Sequence, residues 1–342
     1  MPNPAELARI GHTDLNVTRL GLGAAPLGNL LKTVAEADAM NTFKAAFKAG
    51  IRYVDTAPYY GYGLAENRLG RALADQNRED FVISTKVGRL IRPGRRSGSE
   101  LFDGDQPFYL ANLEMRCIFD YGYDGVMRSH EESLERLGLD RVDILHIHDP
   151  DDHFEWAVKG AYKALDQLRS EGTIKAVSAG MNQWEMLSQF MDHGDFDCFL
   201  LAGRYTLLEQ TALTEFLPKC VQRSVSIILG GVFNSGLLAD PRPGITFDYE
   251  AAPQKLIDQA LRIQAVCESH GVPLKAAALQ FPLAHPAVVT VLTGVRSVAE
   301  FEENERMFRH PIPGDMWQEL KYEGLLAEVA PVPGPGQAGI ED

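Results

Sequence analysis

Four groups with complementary proton chemistry stand at or just past the ends of short apolar runs: the carboxylate of Asp55 after IRYV, the phenol of Tyr60 in the loop beyond it, the ammonium of Lys86 after FVIST, and the imidazole of His148 after VDILHI. Gathered at one place, they have a definite job. The ammonium stabilises a tyrosinate and the carboxylate orients the ammonium, so a phenol of ordinary pKa about 10 is drawn toward neutrality. Such a phenol can take or give the proton of a substrate hydroxyl while the imidazole hydrogen-bonds the same oxygen. Taken singly, each residue has a plainer reading: Asp55 as a helix cap, Lys86 as a surface lysine past a strand end, His148 as a contact for the helix that follows. His146 lies two residues before His148, on the same side of a strand, and is open to the same ligand-facing role. His148 is preferred because it lies nearer the strand's end and is followed by Asp149 and Pro150.

That chemistry needs a scaffold that delivers strand ends to one mouth. Residues 18–25, 51–55, 81–86, 142–148, 174–179, 196–201, 225–229 and 288–293 read as short apolar strands. Between and after them, residues 36–49, 65–74, 124–137, 154–170, 183–191, 211–222, 254–270, 274–283 and 298–308 read as helices, the first with apolar positions at helical spacing and a stop at Gly50. Eight strand-helix units with strands buried on both faces predict a parallel sheet closed into a (β/α)8 TIM barrel, with an open doubly wound sheet as the alternative. In such a barrel, sites form at the C-terminal ends of the strands. Residues 7–18 add a hairpin before the first strand. Residues 88–125 form a long loop after strand three, rich in aromatic residues and therefore expected to fold as a substrate lid, and residues 230–252 form a second insertion. The expected organisation is one domain over residues 1–330 and a flexible tail over 331–342, too poor in apolar groups to pack.

Composition narrows the partners. The 342 residues carry a net charge of -14, which disfavours nucleic acid or an anionic membrane surface and leaves a small molecule as the expected partner. No apolar run approaches the roughly 20 residues of a membrane span, and the first residues lack the apolar core of a secretory signal, so a cytoplasmic location is expected. Cys117, Cys198, Cys220 and Cys267 form no CxxC pair, which reads as four thiols and no metal site.

From GLGAAPLG (21–28) through VDTAPYYGYGLAENRLGRAL to VLTGVRSVAEFEEN, the chain resembles the aldo-keto reductases over nearly its whole length. The resemblance implies a barrel that binds a nicotinamide dinucleotide in extended form without a Rossmann domain, and no GxGxxG follows a strand. It maps a catalytic tetrad onto Asp55, Tyr60, Lys86 and His148, with Tyr60 as general acid or base. It also implies cofactor contacts. Ser178 and Asn182, in SAGMNQW, take the part of the Ser-Asn pair that holds the carboxamide. Gly230 falls where an aromatic ring ordinarily stacks on the nicotinamide. Phe233, Asn234, Ser235 and Gly236 match the loop that cradles the pyrophosphate, and Glu303 and Asn304 match the adenine contacts.

The same resemblance bears on cofactor choice. Where cations hold the 2'-phosphate in NADP-preferring members, this chain has Gly294 and Glu300, which points to NAD, with NADP possible. Against this, Ser297 and Glu300 form an S-x-x-E capping box that explains the glutamate by itself, and Arg296 can reach a phosphate. The branch most resembled oxidises sugars, which implies oxidation of the anomeric carbon of an aldose of the L-fucose or D-threo type to the lactone. Oxidation of pyridoxal or general reduction of aldehydes and ketones are the nearer alternatives. Two other classes remain open: an aldolase with Lys86 as Schiff-base nucleophile, and a non-catalytic subunit that holds dinucleotide and senses redox state.

Overall fold

Runs such as VISTKV and ILHIH are buried at every position, which a strand achieves only when helices cover one face and a filled barrel the other. The computed structural model describes residues 2–102, 105–248 and 250–334. In it, eight parallel strands close into a barrel: Leu20–Gly23, Tyr53–Asp55, Val82–Val87, Ile144–His148, Ala176–Met181, Cys198–Ala202, Ser226–Gly230 and Val288–Gly294. Numbered one to eight in that order, each pairs with the next, and strand eight returns to strand one with Leu292 opposite Gly21 and Gly294 opposite Gly23. This is the (β/α)8 architecture.

The interior is layered. At the N-terminal ends of the strands, Tyr53, Val82, Ile144, Ala176, Cys198, Ile228 and Val289 pack with Ile10, Leu15 and Val17. Those last three come from the hairpin of Leu7–Arg9 and Asn16–Thr18, so the expected hairpin is the plug that closes the barrel floor. Above this apolar layer the inward positions become polar, and the site begins.

The helices cover the outer face, with three departures from expectation. The helix at 154–170 runs as Phe154–Trp156, a π-helical stretch Ala157–Tyr162, then Lys163–Ser170. The wide turn lies where Gly160 meets the chain at Tyr121 and Gly122, so closely that a Cβ on Gly160 would stand 2.3 Å from the Tyr121 carbonyl oxygen. The helix expected at 211–222 begins only at Phe216. A further helix, Gly314–Tyr322, was not expected; it buries Met316, Trp317 and Leu320 against the helix Gln254–Ser269. Of the expected flexible tail, residues 335–342 lie outside the described residues. Among the described residues no helix is long and apolar enough to cross a membrane.

The long insertion after strand three is folded. Arg89–Pro93 pairs antiparallel with Met115–Phe119, and Leu101–Phe102 pairs with Gln106–Pro107 beyond it. Its core is polar. The Arg96 guanidinium lies 3.6 Å from the centre of the Tyr62 ring and donates to the carbonyls of Met115 and Asn112 at 2.9 and 2.7 Å. The Glu100 carboxylate accepts from the Tyr62 hydroxyl at 2.9 Å and from the Cys117 amide at 2.7 Å. Backbone bonds from Leu31 to Phe108 and from Leu110 to Asn29 fasten this lid to the loop after strand one.

Helices Leu64–Leu73 and Tyr123–Leu137 approach so closely that a Cβ on Gly70 would stand 2.1 Å from the Leu137 carbonyl oxygen. Gly70→Ala should therefore destabilise, although alanine gains about 1 kcal/mol in helix propensity. Parting two packed helices outweighs that gain, with an expected net loss of about 1–2 kcal/mol. A urea midpoint equal to or above that of the wild type would show that this contact is not tight.

Candidate active site

The pleat sends every second residue of a strand into the barrel, so strand two offers Tyr53 and Asp55, strand three Ser84 and Lys86, strand four His146 and His148, and strand five Ser178. Lys86 Nζ lies 2.6 Å from Asp55 Oδ2 and 2.8 Å from the Thr56 carbonyl. Ser84 donates to Asp55 Oδ1 at 2.8 Å, which leaves Tyr53 to donate to Ser84 at 2.9 Å. The ion pair is closed to water, with side chains 2% and 4% exposed. Burial lowers the pKa of Lys86 and raises that of Asp55, and each partner opposes the other's shift.

Tyr60 reaches this pair from the loop after strand two. The Tyr60 ring centre is 4.7 Å from Lys86 Nζ, and its plane stands at 88° to the His148 ring with centres 5.9 Å apart. A close backbone crossing fixes the loop: a Cβ on Gly28 would lie 2.6 Å from the Tyr60 carbonyl carbon, and one on Gly61, itself at φ +69°, would lie 2.4 Å from the Gly28 oxygen. Asn112 of the lid donates to the Gly61 and Tyr62 carbonyls at 3.2 and 2.9 Å.

The structure thus brings Asp55, Tyr60, Lys86 and His148 to one mouth. It also separates the two histidines that the sequence left open. His146 is one layer deeper and fully buried, its Nδ1 2.7 Å from Ser178 Oγ and its Nε2 3.6 Å from Asp55 Oδ1. His148 lies against Tyr60, with Nε2 3.4 Å from Asp149 Oδ2. Burial holds both imidazoles well below their ordinary pKa; Arg89 and then Lys86 add to the effect at His148, and Lys86 at His146. Ser84 and Arg89 were not singled out from the sequence, and Asp149 only as the residue that follows His148. Ser84 had a signal, since it precedes Lys86 by two and must share its face. Arg89 had none, because its place depends on how the lid folds.

Residues 19–322 match the model of the aldo/keto reductase family. The chain belongs to that family. It is 43% identical to the pyridoxal 4-dehydrogenase of Microbacterium luteolum over 94% of this chain and 98% of that one. It is 42% identical to a D-threo-aldose 1-dehydrogenase of a Pseudomonas species over 91% and 95%. An aldo-keto reductase of Bacillus halodurans, at 23% identity, shares the fold with a TM-score of 0.72 over 93% of this chain and 95% of that one.

An aldo/keto reductase is an oxidoreductase that works with a nicotinamide dinucleotide, and the remaining residues of the mouth fit such a group. Gly230 ends strand seven without a positive φ, and a Cβ there would meet protein only at an ordinary 3.4 Å, so nothing inside the barrel demands glycine. Its bareness leaves room at the mouth. Arg296, after strand eight, has a buried Nε with no partner, suited to an anion. The other expected contacts are placed as follows. Asn182 follows strand five directly, whereas the Ser178 hydroxyl is turned inward to His146. Phe233 is half-buried; Asn234 and Ser235 are left-handed and lead into Gly236. The Asn234 amide ties this loop to its neighbour, accepting from Thr206 at 2.6 Å and donating to the Gly203 carbonyl at 3.2 Å. Gly294 abuts Pro26, where a Cβ would stand 2.8 Å from the ring. Ser297 caps the helix Val298–Phe308 by accepting from the Glu300 amide, and Glu300 accepts from the Arg296 amide at 2.7 Å. Glu303 pairs with Lys275 at 2.7 Å, and Asn304 is buried beside Phe301 and Phe308.

Burial makes stability depend on pH. His130 and His285 are held down to about 4 by burial, and His146 and His148 also lie well below 6.5. The unfolded chain takes up protons first as pH falls through about 6.5, so the contribution is full above that value and is lost below it. Lowering the pH from 7.5 to 5.5 should cost about 1 kcal/mol per histidine. Urea midpoints that stay level across that range would exclude buried neutral imidazoles.

Proposed function

We propose that this protein oxidises the anomeric carbon of an aldose to the lactone with NAD as acceptor, Tyr60 acting as general base. The observation that carries the reading is the buried ammonium of Lys86, 2.6 Å from Asp55 and 4.7 Å from the centre of the Tyr60 ring, beside a neutral His148. Similarity to the D-threo-aldose 1-dehydrogenase supports the substrate class. The ammonium stabilises the tyrosinate, Asp55 holds the ammonium in place, and His148 donates to the substrate's anomeric oxygen. As Tyr60 removes the hydroxyl proton, the electron pair left on oxygen forms the carbonyl and the hydrogen on that carbon departs as hydride. The bound nicotinamide supplies the acceptor for that hydride. In the reverse direction the same phenol protonates the developing alkoxide.

Oxidation of pyridoxal is the second reading, favoured by the 43% identity to a pyridoxal 4-dehydrogenase. A panel of aldoses and pyridoxal, followed by the absorbance of reduced cofactor, separates the two. Tyr60→Phe keeps the ring but removes the proton carrier, so activity should fall by about 10²–10⁴-fold with dinucleotide binding unchanged. A variant that retains more than about a tenth of the activity would rule Tyr60 out as the base.

NAD preference rests on Glu300. Its carboxylate caps the helix Val298–Phe308 by accepting from the Arg296 amide, and the family resemblance puts its charge where a 2'-phosphate would be repelled. In Glu300→Gln the amide oxygen can still accept from Arg296, so the cap survives while the charge goes. The NADP/NAD ratio of kcat/KM should rise by up to roughly tenfold, about 1.4 kcal/mol. An unmoved ratio would confine Glu300 to capping.

A further inference from the structure

Directly after strand four the chain turns through Asp149 in the left-handed region, at φ +41°. Neighbours on all sides hold it there. Its amide donates to the Gly180 carbonyl at 3.0 Å, and the Tyr121 hydroxyl reaches the carbonyls of both His148 and Asp149 at 2.6 and 2.8 Å. Arg89 donates to Asp149 Oδ2 at 2.7 Å while its guanidinium lies over the Tyr59 and Phe119 rings at 4.7 and 5.1 Å. The pair is lopsided: the Arg89 side chain is 7% exposed and that of Asp149 is 34% exposed. A cation is thus buried in aromatic surroundings to fix a carboxylate that remains reachable beside the reacting groups.

That carboxylate oxygen lies 3.4 Å from His148 Nε2, longer than a good hydrogen bond. A neutral imidazole facing a carboxylate carries its proton on that nitrogen, so Nε2–H is the donor available to a substrate oxygen. A carboxylate has about four acceptor positions, and Arg89 takes one here. If the reacting oxygen accepts from Nε2 at about 2.8 Å, a hydroxyl on the adjacent carbon, roughly 3 Å away, can be oriented to reach Asp149 Oδ2 within hydrogen-bond distance. The observed 3.4 Å is then the fourth side of a closed quadrilateral of His148, reacting oxygen, neighbouring hydroxyl and Asp149.

We infer that Asp149, fixed by Arg89, accepts the hydroxyl on the carbon next to the reacting one. The site thereby selects 2-hydroxy aldehydes and aldoses over simple aldehydes and 2-deoxy sugars. This rests on the aldose reading of the same site and narrows it. Tyr60 and His148 handle the oxygen that reacts; Asp149 handles the oxygen that identifies the substrate. The carboxylate also faces His148, so orientation of that imidazole is the competing role, and the two roles differ in what they predict for a substrate without the second hydroxyl.

The test compares an aldose with its 2-deoxy counterpart in the wild type and in Asp149→Ala, which removes the acceptor altogether. The wild type should favour the hydroxylated substrate in kcat/KM by at least about tenfold, because a site built to bond a hydroxyl rejects the analogue that lacks it. In Asp149→Ala that preference should fall below about threefold, the loss lying mainly in KM for the hydroxylated sugar. An equal loss on both substrates would overturn the inference and leave Asp149 as an orienter of His148. Should the variant not fold with Arg89 left unpaired, the wild-type comparison still decides, since parity between the two sugars overturns the inference. If the wild type oxidises no aldose, the aldose reading fails by itself. Reduction of glyceraldehyde against propanal then probes the same carboxylate, and parity there again counts against it.

Discussion

Everything at the mouth depends on one buried ion pair, Lys86 to Asp55 at 2.6 Å. Taking two charges out of water costs several kcal/mol each, and removing one partner of such a pair typically costs about 3–5 kcal/mol because the other is left unpaired. A barrel built for stability alone would place apolar residues here, as it does one layer below with Val82 and Ile144. The pair is held by further bonds: Ser84 to the carboxylate, Tyr53 to Ser84, and the Thr56 carbonyl to the ammonium. What the arrangement provides is a cation fixed beside a phenol, with no rotation left for either charged side chain.

The hydrophobic floor makes that possible. The hairpin plug and the lowest barrel layer supply the burial that carries the polar layer above them. They also keep water from the ion pair from below. From above, the lid joins the loop after strand one by backbone bonds and the loop after strand two through the Asn112 side chain, and its own buried charges, Arg96 and Glu100, bond chiefly to the chain around them. The wall beside Tyr60 is therefore built before any substrate arrives, and binding need not spend free energy on ordering it.

Family membership and geometry carry different parts of the functional reading. Membership makes the protein a nicotinamide-dependent oxidoreductase acting on a small molecule. It leaves the substrate open between a sugar and pyridoxal, because two relatives of nearly equal identity bear those two names. The choice falls to side chains that line the mouth, and there the lid and the turn after strand four contribute Arg89 and Asp149.

The sequence by itself determined the barrel and that Asp55, Lys86 and His148 stand at its mouth, for a local reason. Strands such as FVISTK and VDILHIH announce themselves by β-branched and apolar content, and in a barrel the last inward residue of a strand is a mouth residue wherever the neighbouring strands lie. The hairpin was legible for the same reason, being local. The tertiary structure decided what depends on distant contacts. The pleat allowed both His146 and His148, and only the placement of Tyr60 and Ser178 showed which imidazole faces the phenol and which lies beneath it. The break in helix 154–170 depends on the approach of Gly160 to Tyr121, and the turn at Asp149 on Arg89 from a lid strand sixty residues away. A run of residues records its own propensity and period; which side chain from elsewhere will fill the space beside it becomes definite only when the chain has closed.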